Sequence, residues 1–434
     1  MQKISRRQFL SLCAGAVVLG GGWVLARGRI LPELRDRTAA ALGRGRVTYL
    51  RQIVAQDNAA ARTIMWQSPA SLVAPAVELT RGEAAETQRF PAEEEEAFTE
   101  DGVTVYLYTA QVTGLERGAR YRYRVAAGEE RGGWTPLQAD DGGAFRALIF
   151  PDSQSSDYAG WRELAQMARQ RNPDARFFIN MGDLVDNGED HTQWNAWLDG
   201  VEGIIDTIPI APLMGNHETY DKQWQVREPV AYLREFALPG NGSKEYDRRY
   251  YSFDYGPVHF LVLDTQQGEE QERHPHITEV QEAWFRLDVQ RTRQPWKVVL
   301  MHKDPLQYRI HGRPERGEGF SEEGKLWMPL FDAAGIDLVL SAHLHTDRNR
   351  GHIKGFERSA EGPLYILTGV AGDVRYPGLW VDHALDKVVA PQPETDNYLT
   401  LDADEDMLIV RCFLPDGTQI DEAAVKRHES CRSG

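Results

Sequence analysis

Most of six apolar runs between residues 145 and 342 lead into residues able to hold a metal or move a proton. The runs are FRALIF shortly before Asp152, ARFFINM before Gly182, IPIAPLM before Gly215, VHFLVLD ending at Asp264, WKVVLM before His302, and IDLVLSA before His343. Short unbroken apolar runs read as strands buried on both faces. Helical spacing lies between some of them, in YAGWRELAQMARQR (158–171), TEVQEAWFRLDVQR (278–291) and EEGKLWMPLFDAAG (322–335). Strand and helix in alternation predict an α/β layered fold with helices outside. In such folds ligands bind beyond the carboxyl ends of the strands. Asp152, Gln154, Asp183, Asn216, His217, His302, His343 and His345 are therefore expected to converge on one sheet edge. Taken singly, each has a bland reading: an Asp at a strand end is usually a turn residue, and HLH could be two strand residues. The order of all of them carries the signal. The runs after Pro363 (PLYILTGV, NYLTLDA, MLIVRCFLPDGTQI) are expected to complete a second sheet.

Residues 46–140 have a different texture. TIMWQS (63–68), VTVYLYTAQV (103–112) and RYRYRV (120–125) alternate at period two with turn residues between, the pattern of half-buried antiparallel strands. An all-β sandwich domain over 46–140 follows, with ADDGG (139–143) as its boundary and the α/β domain over 146–425. Glu93–Glu96 reads as a solvated loop.

Residues 1–45 form a leader and linker. SRRQFL (5–10) precedes a weakly apolar run from Phe9 to Ala26 and resembles a bacterial twin-arginine export signal. That implies export to the periplasm or another extracytoplasmic space, with an uncleaved anchor as the alternative. It also implies cargo folded, and often metal-loaded, before export. The formal net charge of −16 argues against a general nucleic-acid grip, which needs Lys and Arg over phosphate. Of three cysteines, Cys412 and Cys431 could pair in an oxidising compartment, and the absence of CxxC removes a cysteine zinc site.

PDSQ, GDLVDNG, GNHE, MH and AHLH, in that order, resemble the motifs of the calcineurin-like metallophosphoesterases. Trp66, GLERGARYRYRV and WTPL resemble a fibronectin-type (immunoglobulin-like) module and the N-terminal domain of purple acid phosphatases. The resemblance implies an αββα two-sheet sandwich holding two divalent ions, Mn, Fe, Zn or Co by ligand type. One ion would take Asp152, Asp183 and His345, with Gln154 as a further ligand. The other would take Asp183, Asn216, His302 and His343. Two such ions neutralise a phosphate ester, generate hydroxide for in-line attack and hold both in-line oxygens. His217 matches the proton donor and Asp186 its orienting carboxylate, with Glu218 as a competing orienter.

Departures matter as well. Asp186 stands where the purple enzymes carry an iron-binding tyrosine, so no purple colour is expected. Asn187 stands where protein phosphatases carry a phosphate-binding arginine. Asn187 and Gly188 read as a surface turn. Inserted loops at 221–229, 271–278 and 307–320 are candidates for substrate contact, His311, Arg313 and Arg316 among them. The expected partner is a small phosphate ester, cleaved as a mono- or diester. The alternatives are a cyclic-nucleotide or nucleotide phosphodiesterase, and a cell-surface binding protein with an idle catalytic fold.

Overall fold

A computed structural model describes residues 46–82 and 86–427. Residues 1–45, on which the export-signal reading falls, and Cys431 lie outside the described residues; Cys412 is buried, with no disulfide partner among the described residues. No described helix is long and apolar enough to cross a membrane.

Two sheets stack between two helical layers. Phe145–Phe150, Phe177–Asn180 and Ile210–Pro212 run parallel in the first. Val258–Leu263, Trp296–Met301, Leu338–Ser341 and Leu364–Thr368 run parallel in the second. The unbroken apolar runs have a simple cause. Trp296, Val298 and Leu300 face the core between the sheets, while Val299 and Met301 face a second core under the helices. Neither face meets water, so neither face is polar.

Between the sheets, Phe177 meets Phe260 at 5.6 Å and Tyr255 at 4.5 Å between ring centroids. Outside the first sheet, Trp161 of helix Ala159–Arg171 packs edge-on against Phe150 and stacks on Trp197 of helix His191–Gly200. Outside the second, Phe285 of helix Ile277–Arg291 meets Trp327 and Phe331 of helix Glu322–Ala334. A fully buried aromatic side chain of this kind contributes about 2–3 kcal/mol.

Three readings of the sequence are corrected. Of the tail, Leu364–Thr368 and the short Val388–Val389 join the second sheet; Tyr398–Ala403, Met407–Phe413 and Gln419–Lys426 extend the first, Tyr398–Ala403 lying antiparallel to Phe145–Phe150. Alternation in those strands shows one covered face but not which sheet supplies it. The glutamate run is no loop. Glu94–Glu100 is an edge strand on Val103–Thr113, and charge on an edge strand discourages pairing with other chains.

The third correction concerns the N-terminal region. It is a β-rich two-sheet unit, but one of its sheets is continuous with the first sheet of the α/β unit. Ile53 pairs in parallel with Ile210, producing a ten-stranded sheet. Arg51 and Gln67 both reach the buried carboxylate of Glu235, at 2.8 and 2.5 Å. A buried ion pair across the junction resists separation, because either partner alone would be an uncompensated charge.

Candidate metal centre

Five of the seven parallel strands are followed, just past their ends, by a residue of the site. Asp152 follows Phe145–Phe150, Asp183 follows Phe177–Asn180, and Asn216 and His217 follow Ile210–Pro212. His302 follows Trp296–Met301, and His343 and His345 follow Leu338–Ser341. Two donor groups result. One oxygen or nitrogen each from Asp152, Asp183 and His345 lie within 4.8 Å of one another, and so do donors from Asp183, His302 and His343. Asp183 is common to both. Asn216 Oδ1 lies 3.3 Å from His302 Nε2 and so joins the second group.

The imidazoles are held by their other nitrogens. His302 Nδ1 donates to Met181 O at 2.9 Å and His345 Nδ1 donates to Val374 O at 2.9 Å. That leaves His302 Nε2 facing Asp183 Oδ2 at 3.2 Å and His345 Nε2 facing Asp152 Oδ2 at 3.1 Å. Backbone carbonyls that fix the tautomer and ring orientation are the usual support of ligating histidines. Gln154 is buried, its Oε1 has no hydrogen-bond partner, and its Nε2 lies 3.0 Å from His217 Nε2. An orphaned buried amide oxygen costs about 1–3 kcal/mol, and a cation would satisfy it. The mixed carboxylate, amide and imidazole donors fit a pair of divalent transition-metal ions.

Backbone strain marks the same residues. Asp183, His343 and His345 have φ of +48°, +76° and +53°, in the left-handed region. Each costs about 1–2 kcal/mol for a residue with a Cβ. Gly182 (φ +93°) precedes Asp183, and a Cβ there would stand 2.6 Å from His302 Nδ1. A Cβ on Gly215 would overlap Asp183 Oδ1. Glu218 holds this strained turn. Its Oε2 accepts from Asp183 N (3.0 Å) and Gly215 N (2.7 Å), and its Oε1 from Leu184 N (2.8 Å) and Val185 N (3.3 Å). The sequence offered Glu218 as an orienter of His217; the buried carboxylate instead receives backbone donors.

Protein charges alone polarise the centre. Burial pushes the Asp183 carboxyl up, but His302 and His217 outweigh it and hold it below the usual range. Burial lowers His302, yet Asp183 and Asp152 raise it to about 9. Burial, then the neighbouring His302, lowers His343 well below the ordinary histidine value. His217 is lowered by burial and raised by Asp183 and Asp186, to about 10. Its Nδ1 donates to the backbone O of Asp186 at 2.8 Å, and the Asp186 carboxylate stands further off, at 3.4 Å. The expected carboxylate contact is therefore the longer of two contacts from one residue. His217 Nε2 lies 4.0 Å from Asp183 Oδ2.

Asn187 and Gly188 are not a surface turn. Both are buried: Asn187 Nδ2 donates to Asp221 O at 2.9 Å, and Gly188 N donates to His217 O at 2.9 Å. They tie the Asp183 turn to the neighbouring loop. Of the loop residues singled out at 307–320, His311 and Arg313 are exposed, and Arg316 donates to Tyr308 O within its own loop. A third donor cluster, Glu228, Glu270 and His274, surrounds the guanidinium of Arg249, which contacts all three. That cluster already holds a cation, the guanidinium itself. The sequence offered the loop 221–229 for substrate contact but singled out neither of the rings near His217. Tyr220 lies 5.6 Å and Trp224, in that loop, 5.7 Å from it, and Tyr220 has no sequence signal beyond proximity to GNHE.

This sheet sandwich brings a shared-aspartate donor set together at one sheet edge. Residues 145–347 match the calcineurin-like phosphoesterase family and residues 50–138 match the purple acid phosphatase N-terminal domain. Over those two stretches the chain resembles the calcineurin-like phosphoesterases and the purple acid phosphatase N-terminal domain. Among sequence relatives, purple acid phosphatase 15 of Arabidopsis thaliana is 27% identical over 206 residues, 47% of this chain and 36% of that protein. The matched region spans 36–40% of the first three purple acid phosphatases compared. Among solved structures, a purple acid phosphatase from yellow lupin seeds superposes with a TM-score of 0.70 at 17% identity, over 89% of this chain and 75% of that one. The structure of PhoD gives 0.61 at 12% identity, over 87% and 88%. At such identities these likenesses establish the fold.

Proposed function

We propose that this chain is an exported two-metal phosphoesterase that hydrolyses small phosphate esters. The observation that carries the reading is one buried carboxylate, Asp183, shared by two donor groups and lying 4.0 Å from His217. Asp152, Asp183, His345 and Gln154 would hold one ion, and Asp183, Asn216, His302 and His343 the other. Bound divalent ions of the Mn, Fe, Zn or Co type would supply charge neutralisation and a nucleophile near neutral pH. In the reaction a water oxygen forms the new bond to phosphorus, the ester P–O bond breaks, and the leaving oxygen takes a proton. His217 Nε2 is the donor of that proton. Its Nδ1–H is fixed on Asp186, so the ring cannot turn away, and the nearby carboxylates favour the protonated form. A twin-arginine signal of bacterial type in residues 1–45 would deliver the folded protein to the periplasm. The N-terminal β-rich unit is read as fibronectin-like.

Metal content by mass spectrometry, together with hydrolysis of aryl phosphate mono- and diesters, tests the reading on wild type, Asp183→Asn and His217→Ala. Wild type should hold two ions per chain and Asp183→Asn should lose affinity for both. His217→Ala should keep its ions and lose about 10²–10⁴-fold on esters with poor leaving groups, less on good ones. Metal-loaded wild type that cleaves neither ester would sink the proposal.

A further inference from the structure

Among the described residues, five large apolar side chains are exposed: Val47, Val73, Trp224, Leu287 and Tyr376. Two of these stand beside the metal centre. The Trp224 ring, 54% exposed, lies 5.7 Å from His217, and the Tyr376 ring, 39% exposed, lies 4.9 Å from His345. Tyr220, partly exposed, lies 5.6 Å from His217 and 6.0 Å from Trp224.

Trp224 is not simply left over at a loop tip. Its φ is +62°, a left-handed conformation that an aromatic residue rarely adopts. The tight loop that imposes it is closed from within. Asp221 Oδ1 accepts from Gln223 N and Gln225 N at 2.8 Å each, Asp221 N donates to Gln225 O, and Trp224 N donates to Asp221 O. The loop is also pinned from outside. Arg227 forms a two-pronged pair with the buried Glu100 of the N-terminal unit (2.9 and 3.1 Å), and Lys222 Nζ meets Asp101 at 2.9 Å. A strained, doubly anchored loop that shows half an indole to solvent beside the proton donor is organised to meet a ligand. The ligand surface nearest His217 is the leaving group of the ester.

Resting on the phosphoesterase reading, we propose that Trp224, backed by Tyr220, is a stacking platform for a planar aromatic group on the leaving side. The substrates are then phosphate esters of nucleosides or similar ring-bearing alcohols. Every base or aryl ring has a π-face, so stacking selects for planarity rather than for one hydrogen-bond pattern.

The test compares adenosine 5′-monophosphate with ribose 5-phosphate on the metal-loaded full chain. Both lose a primary alkoxide of the same sugar and differ in the base. Wild type should favour the nucleotide by about ten- to a hundredfold in kcat/KM, the usual worth of one base–aromatic stack. Trp224→Ala should bring that ratio near one, and Trp224→Phe should retain part of it. A wild-type ratio near one, or equal losses on both esters in Trp224→Ala, would overturn the platform. Failure to cleave either ester would count against the phosphoesterase reading instead. The platform is then judged by quenching of tryptophan fluorescence by adenosine 5′-monophosphate. Quenching in wild type that disappears in Trp224→Phe upholds it, and no quenching rejects it.

Discussion

At the residue scale the centre is governed by how closely backbone approaches the shared carboxylate. Gly215 has no side chain because a Cβ would overlap Asp183 Oδ1 and lie 2.5 Å from Asp183 N. Gly215→Ala is therefore expected to displace Asp183 and weaken ion binding at least tenfold, the scale seen when a ligand's support is disturbed. Equilibrium dialysis followed by metal analysis checks this, and an unchanged far-UV circular dichroism spectrum would show that the fold survives. The donor types were legible in the sequence, because Asp, Asn and His stood at successive strand ends. The left-handed backbone at Asp183, His343 and His345 was not, since a positive φ at a non-glycine residue is imposed by surrounding packing. Nor was the clamp at Glu218. Its partners are main-chain N–H groups, which carry no residue identity.

At the scale of elements, strands and helices followed their periodicities, and helix boundaries fell within a residue of the patterns at Ala159–Arg171, Ile277–Arg291 and Glu322–Ala334. Helix His191–Gly200 escaped notice because its signal is a cap rather than a long apolar stripe: Asp190 accepts from Thr192 N and Gln193 N. One connection between elements has a consequence for pH. His259 lies on strand Val258–Leu263 and bridges Asp254 of the adjoining strand (2.6 Å) and Asp288 of helix Ile277–Arg291 (2.9 Å). Burial lowers its pKa, but hydrogen bonds to Asp254 and Asp288 raise it to about 9. A raised folded-state value means the bridge stabilises fully below the ordinary histidine value and is lost as pH rises through about 9. The loss is on the order of 3 kcal/mol, from 1.36 kcal/mol per pH unit, and less where solvent screens the half-exposed Asp254. Chemical denaturation between pH 6.5 and 9.5 should show this decline. His259→Gln should flatten it, and an equal slope in the variant would remove the assignment.

At the scale of the whole molecule, the N-terminal unit and the α/β sandwich share a sheet and meet through Arg51–Glu235, Lys222–Asp101 and Arg227–Glu100. The last two anchor the Trp224 loop. Glu100→Gln should leave ion content unchanged and raise KM for adenosine 5′-monophosphate severalfold, because it weakens a charge-assisted two-pronged contact and not the centre itself. Steady-state kinetics beside metal analysis would separate the two effects, and an unaltered KM would make the contact merely structural. The change of texture near residue 140 was plain in the sequence, but the continuous sheet across it was not. The parallel pairing of Ile53 with Ile210 joins residues far apart in the chain through backbone hydrogen bonds alone. What the sequence determined by itself is the layered α/β class and the chemical kind of each donor, because strand period and side-chain type are local properties. Tertiary structure decided which sheet received the tail, which acid holds the Asp183 turn, and which rings stand beside His217. Those depend on where distant segments are brought together, and no local pattern records it.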